Sequence, residues 1–252
     1  MDLQLTDRVY VVTGGARGLG RATADALVAE GARVVLSGRD AGHLDAAVSD
    51  LGEERALGVV ADNADPGTPA LLLSTAREAF GRVDGALISV GGPPPGRVLD
   101  TTDEQWAAAF DSVFLGAIRL AREIGRELGE GGALGLVLST SVRSPLPEMA
   151  VSNGLRPGLA MVAKQLADEL GPDGVRVNGL MPGRVSTERV EELDEATGDA
   201  EAARRRSIAT IPLRRYGEPE EFGRVAAFLL SPAASFVSGA MVPVDGGMLR
   251  SL

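Results

Sequence analysis

Chemistry in this sequence begins at a glycine-rich turn. Thr13-Gly14-Gly15-Ala16-Arg17-Gly18-Leu19-Gly20 follows an apolar run, Val9 to Val12, and precedes helix-forming residues, Ala22 to Ala29, that stop at Gly31. Glycines between a buried strand and a helix N-terminus bring free backbone N–H groups and the positive end of the helix against a phosphate. Gly14 permits the turn, while Gly18 and Gly20 permit close approach. A tight loop that binds nothing is the alternative, but the strand before and the helix after are the context that phosphate binding requires. A second short strand, Arg33 to Ser37, ends at Gly38-Arg39-Asp40. An acidic residue at such a strand end grips a ribose 2′-hydroxyl, whereas an arginine accepts a 2′-phosphate. Arg39 is positioned for that role, and Arg17, inside the glycine turn, reaches the same phosphate unless both are simply solvated.

Composition removes several other chemistries. The 252 residues contain no cysteine, which excludes disulfides, thiolate catalysis and cysteine metal sites. No metal site is expected. His43 is the only histidine, so a histidine triad is excluded, and it lies in a polar helical stretch from Asp40 to Leu51. A net charge of −10 argues against a nucleic acid partner. No apolar run has the ~18 residues of a membrane span, and Met1-Asp2-Leu3-Gln4 lacks a signal peptide's basic region. The expectation is a soluble, cytoplasmic protein.

The elements that must hold these residues alternate. Strands are expected at Ala56 to Val60, Val83 to Val90, Ala133 to Leu138, Val175 to Leu180 and Ala240 to Val244, with helices at Asp40 to Leu51, Pro69 to Phe80, Asp103 to about Leu128 and onward from Val151. Short loops between alternating strands and helices imply right-handed crossovers and a doubly wound parallel sheet. The fold class is therefore α/β, a Rossmann-like sheet of about seven strands with helices on both faces, in one domain over 1–252. Ligands then lie at the C-terminal ends of the strands.

The spacing Gly-x-x-x-Gly-x-Gly behind Thr13 resembles the short-chain dehydrogenase/reductase (SDR) family. Met181-Pro182-Gly183-Arg184-Val185-Ser186-Thr187 matches the family's Pro-Gly-x-x-x-Thr, and Phe236-Val237-Ser238-Gly239 through Asp245-Gly246-Gly247 matches its C-terminal signature. The resemblance runs from about Thr6 to Gly247 and is similar to 3-oxoacyl-carrier-protein reductase-like members. It implies that Gly14, Arg17, Gly18, Leu19 and Gly20 hold a dinucleotide, with Asp62 and Asn63 at its adenine. Ser89 and Gly91 stand beside it, and Pro182, Gly183, Val185 and Thr187 lie at its nicotinamide end. Asp62 also suits an Asx turn before Pro66. Arginines at positions 17 and 39 imply NADP(H) rather than NAD(H).

Where the family carries its catalytic groups, the sequence departs from the pattern. Ser141 aligns with the family's serine, although a serine after a strand is also a common turn former. Ser152 and Arg156 stand in place of Tyr-x-x-x-Lys, Val113 in place of a water-anchoring Asn, and Ile88-Ser89-Val90-Gly91 in place of Asn-Asn-Ala-Gly. The two tyrosines, Tyr10 and Tyr216, are followed four residues on by Gly14 and Glu220, so neither restores the pair. The remaining toolkit is two hydroxyls and a cation. Because a guanidinium has a pKa above ~12, Arg156 cannot act as an acid, but it can hold the nicotinamide ribose and stabilise negative charge.

Two functions follow. One is an NADP(H)-dependent oxidoreductase acting on a small-molecule carbonyl or alcohol through Ser141, Ser152 and Arg156. The other is a non-catalytic dinucleotide-binding or partner subunit on the same scaffold. Arg97, Arg143 and Arg184 each follow strands four, five or six, which suggests a positive rim suited to an acidic or carrier-bound substrate, unless all three are merely solvated. Gly92-Pro93-Pro94-Pro95-Gly96 forms a stiff segment that either walls a pocket or lies on the surface. The stretch around 186–215 resembles the family's substrate lid, though its charges also suit a solvated helical face. The resemblance implies a homotetramer or homodimer formed through the long helices carrying Trp106 and Arg156.

Overall fold

The strands alternate side chains between two faces, and both faces are apolar, so the sheet must be covered twice. The computed structural model describes residues 1–251 and shows this arrangement. Seven parallel strands, β1 Val9–Thr13, β2 Arg33–Gly38, β3 Ala56–Val60, β4 Gly85–Ile88, β5 Ala133–Val137, β6 Arg176–Pro182 and β7 Met241–Val244, form one sheet in the order β3-β2-β1-β4-β5-β6-β7. The helices are α1 Gly18–Ala29, α2 Ala41–Leu51, α3 Thr68–Phe80, α4 Asp103–Ala109, α5 Gly116–Glu127, α6 Ala150–Leu170, α7 Glu188–Glu195, α8 Ala200–Thr210 and α9 Pro219–Leu230.

Period-two alternation sorts the core. Val9, Val11, Val35, Ala86, Ile88, Leu134 and Leu136 pack against Leu72 of α3, Leu120 and Ile124 of α5, and Leu159 and Ala163 of α6. Tyr10, Val12, Val34, Leu36 and Leu87 face the other way, onto Leu27 of α1, Leu44 of α2, and Phe222 and Leu230 of α9. The Tyr10 hydroxyl donates to the Leu230 carbonyl at 3.2 Å, and the buried Arg176 guanidinium donates to the carbonyls of Leu229 and Ser231. These donors satisfy the last carbonyls of α9, which no helical N–H can reach.

Two elements are shorter than the sequence suggests. β4 ends at Ile88 because the Ser89 N–H leaves the ladder and donates to Thr13 Oγ1 at 2.9 Å. The helix expected from Asp103 to Leu128 is divided by a π-helical stretch, Phe110–Leu115. Gly116 directly follows that wide stretch, and a Cβ there would lie 2.4 Å from the Asn63 carbonyl oxygen, so close approach of the two backbones requires glycine.

Strand order reverses between β1 and β4, and the crevice beyond their C-terminal ends is where open parallel sheets bind ligands. Gly14, Arg39, Asp62, Ser89 and Ser141 all follow strand ends on this crest, and Pro182 closes β6.

Candidate active site

The glycine turn is built to present bare backbone. Gly14 and Gly18 adopt φ of +59° and +55°, conformations that other residues rarely accept. A Cβ on Gly20 would sit 2.2 Å from the Gly14 carbonyl oxygen, so the first turn of α1 can pack on the loop only with glycine there. Arg17 occupies the N-cap of α1 without a side-chain capping bond, leaving the first N–H groups of the helix to a ligand or water. Thr13 Oγ1 donates to the Ser89 carbonyl at 2.9 Å and accepts the Ser89 N–H, tying β1 to β4 at the reversal point. Leu19 is half-buried beside the turn.

Around this cradle, Arg39 is exposed and has no ion-pair partner among the described residues. Arg17 is exposed as well, but its Nη1 pairs with Glu188 Oε2 at 2.9 Å. Asp62 forms the Asx turn, accepting the Ala64 N–H at 2.9 Å, and its side chain is exposed at the end of β3. Asn63 packs its carbonyl against Gly116, while Gly91 lies exposed, with no atom within 4 Å of the space a Cβ would fill.

On the other half of the crest, three residues of the expected site converge. Ser139 Oγ accepts the Ser141 N–H at 3.1 Å and winds the chain after β5 into a short 3₁₀ turn, Thr140–Val142. That turn aims Ser141 at the start of α6, where its Oγ lies 3.2 Å from Ser152 Oγ, and both serines are buried. Arg156 follows one helical turn later and is only 5% exposed. Its Nη1 donates to the Val137 carbonyl at 2.6 Å and its Nη2 to the Val90 carbonyl at 3.4 Å, while its buried Nε has no partner.

No carboxylate among the described residues pairs with this cation, and burial pushes its pKa down to about 10. Desolvation disfavours the charged form and lowers the value from its ordinary range. Arg156 still remains protonated near neutrality. Val113 is buried in the core, consistent with a side chain that anchors no water.

The segment after β6 forms the remaining wall. The Gly183 N–H donates to the Val244 carbonyl at 3.0 Å, and the buried Val185 bridges to Gly217. Thr187 occupies the N-cap position of α7 without a side-chain capping bond, and its Cγ2 lies 3.7 Å from the Cβ position of Gly18. The stretch that the resemblance likens to a lid is two helices, α7 and α8, anchored by a buried carboxylate. Asp194 accepts from the Tyr216 hydroxyl at 2.9 Å and pairs with Arg184 at 3.4 Å, and the Arg204 guanidinium lies 4.3 Å above the Tyr216 ring. Burial is the main cause that raises the Tyr216 phenol pKa. The lid's charges are thus not all solvated, as the sequence alone allowed.

Arg189 Nη2 donates to the Pro93 carbonyl at 2.8 Å, and on its far side the proline segment bonds the lead-in to α6 through Gly96 and Glu148 at 2.7 Å. The proline segment is therefore built into the rim between lid and α6. The positive rim is not built as expected. Arg97 pairs with Asp100 at 3.7 Å and Arg184 with Asp194, so local carboxylates neutralise two of the three arginines. Only Arg143 remains exposed and without a carboxylate among the described residues, so the rim carries less net positive charge than the sequence suggests.

Sequence reasoning missed Glu188, Arg189, Asp194 and Asn153. The Asn153 amide clamps Leu146 through both its oxygen and its nitrogen, at 3.0 and 2.8 Å. These residues sit in polar stretches where no periodicity separates a paired side chain from a solvated one.

A family profile described as Enoyl-(Acyl carrier protein) reductase matches residues 14–249. L-rhamnose 1-dehydrogenase (NAD(P)(+)) of Azotobacter vinelandii is 34% identical over 260 residues, covering 98% of this chain and 99% of that protein. The chain belongs to the short-chain dehydrogenase/reductase family. Within that family, levodione reductase of Leifsonia aquatica is 34% identical over 262 residues, covering 97% of this chain and 95% of its own length. L-sorbose reductase of Gluconobacter frateurii, solved in complex with NADPH and L-sorbose, superposes with a TM-score of 0.94 at 30% identity, covering 100% of both chains. The SDR fold here is thus a seven-stranded Rossmann-like sheet, and the chain is an oxidoreductase-family protein whose relatives are NAD(P)-dependent dehydrogenases and reductases.

Proposed function

We propose that this SDR protein is an NADP(H)-dependent oxidoreductase that interconverts a small-molecule carbonyl and its alcohol through Ser141, Ser152 and Arg156. One observation carries the reading: two buried hydroxyls stand 3.2 Å apart on the crest, one helical turn from a buried guanidinium. Both hydroxyls can donate to a substrate oxygen. The guanidinium charge stabilises an alkoxide across the low-dielectric interior. Serine is too weak an acid to match the phenol implied by the family pattern, so the proton comes from water relayed through the pair. Losing a matched general acid costs ~10²–10⁴-fold in rate, and turnover is slow by that measure.

The cradle residues fit a dinucleotide. Left-handed Gly14 and Gly18, the uncapped N-terminus of α1 and the open space over Gly91 accommodate a pyrophosphate-bearing ligand, with Arg17 and Arg39 toward its 2′-phosphate. When bound, NADP(H) supplies or accepts the hydride. The NAD(P) in the name of the rhamnose enzyme and the NADPH in the sorbose reductase complex support this reading. A homodimer or homotetramer formed through the helices carrying Trp106 and Arg156, and a cytoplasmic location, belong to the same proposal.

The test is NADPH consumption against a panel of sugars, ketones and diketones, followed by Ser152→Tyr with Arg156→Lys. The double variant is expected to raise carbonyl reduction. If it binds NADPH yet gains nothing, the placement of these two residues is wrong.

A second reading rests on Arg156 itself. Both its terminal nitrogens already donate to backbone carbonyls, one in β5 and one just beyond β4, which suits a cation that ties the end of β5 to the loop after β4 in a nucleotide-binding protein without turnover. NADPH binding without consumption across the panel favours it.

A further inference from the structure

The first turn of α7 spans the mouth of the crevice. Glu188 reaches one wall, pairing with Arg17 on the glycine turn at 2.9 Å, and its neighbour Arg189 reaches the other, donating to the Pro93 carbonyl at 2.8 Å. Thr187, between turn and lid, lies against Gly18. Arg17 is one of the two cations placed for a 2′-phosphate, and Glu188 is the carboxylate that holds it. The other nearby acid, Asp40, is committed elsewhere: its Oδ1 caps α2 by accepting the His43 N–H at 2.8 Å and lies 3.1 Å from His43 Nδ1.

We infer that Glu188 is a cofactor-discriminating residue: its carboxylate stands in for the 2′-phosphate on Arg17, so that NADP(H) must displace it and NAD(H) need not. This rests on the NADP(H) reading above and extends it to a residue outside the nucleotide motif. The exchange is feasible because the Arg17 and Glu188 side chains are 53% and 59% exposed, and exposed ion pairs are weak. A phosphate brings close to two charges and three acceptor oxygens against the carboxylate's one charge. Displacement frees only the first turn of α7, since Asp194 holds its other end to Arg184 and Tyr216.

The experiment titrates NADPH and NADH separately into the wild type, Glu188→Gln, Arg17→Gln and the double variant, at low and high salt. Glu188→Gln is expected to tighten NADPH about two- to fivefold, the range an exposed pair supports, and to leave NADH unchanged. The gain vanishes in the Arg17→Gln background and shrinks in high salt. An equal shift for both nucleotides, or none for NADPH, overturns the inference. A wild type that binds NADH but not NADPH overturns the cofactor reading beneath it, whereas a wild type that binds NADPH with a silent Glu188→Gln overturns the discrimination alone.

Discussion

Arg156 donates to the carbonyl of Val137 at 2.6 Å, so the cation of the candidate site is held by the end of β5 and by no carboxylate among the described residues. A buried charge balanced only by carbonyl dipoles is destabilised relative to water, which is why its pKa falls to about 10. The unfolded chain holds this proton more tightly than the folded one. Between pH 10 and the ordinary arginine range, stability contributed by this group therefore rises with pH, and below pH 10 the full penalty applies. Denaturant unfolding of the wild type and Arg156→Met at about pH 7, 9 and 11 checks this. The wild type should gain on the variant only at the alkaline end, and parallel curves would contradict the burial argument.

The hydroxyl pair should show coupling. Ser141→Ala leaves Ser152 Oγ without its 3.2 Å partner, whereas Ser152→Ala leaves Ser141 Oγ the Ser152 backbone carbonyl at 3.4 Å as its remaining acceptor. Each single change is expected to destabilise by about 1 kcal/mol, and the double change by less than the sum. If turnover is present, each alanine should lower kcat more than it raises KM, because the hydroxyls meet the oxygen where charge develops.

Asp194 ties α7 to Tyr216 and Arg184. Asp194→Ala removes the acceptor of the buried Tyr216 hydroxyl and the partner of the half-buried Arg184. A loss of roughly 1–3 kcal/mol is expected, with amide exchange rising over 188–210 and unchanged in β1, β4 and β5. Exchange rising uniformly across the chain would show that this contact supports the whole fold rather than the lid.

Much of the fold was legible because it follows from patterns that survive without coordinates. The short apolar runs at Val9 to Val12 and Ala133 to Leu138, each followed by turn-forming residues, read as buried strands, and the glycines from Gly14 to Gly20 mark a turn whose backbone approaches a neighbour closely. Ser141, Ser152 and Arg156 were singled out by the resemblance to the SDR family, and the alternation of strands and helices alone would not have picked them from the other polar residues that follow strand ends. Partners did not follow. Nothing in a list of acidic residues distinguishes Asp194, buried against Tyr216, from Glu195 beside it, which is exposed. The rim arginines failed for the same reason: Arg184 meets a carboxylate ten residues on, across a lid whose packing the sequence does not encode as periodicity. The π-helical stretch at Phe110–Leu115 was hidden because its apolar spacing reads as an ordinary helix.

Equilibrium titration of NADPH and NADH, followed by the fluorescence of the reduced nicotinamide and then by its oxidation on adding a carbonyl panel, tests the central claim most directly. The account predicts saturable binding, tighter for NADPH than for NADH, and slow consumption with at least one carbonyl. No binding of either nucleotide at millimolar concentration would contradict it.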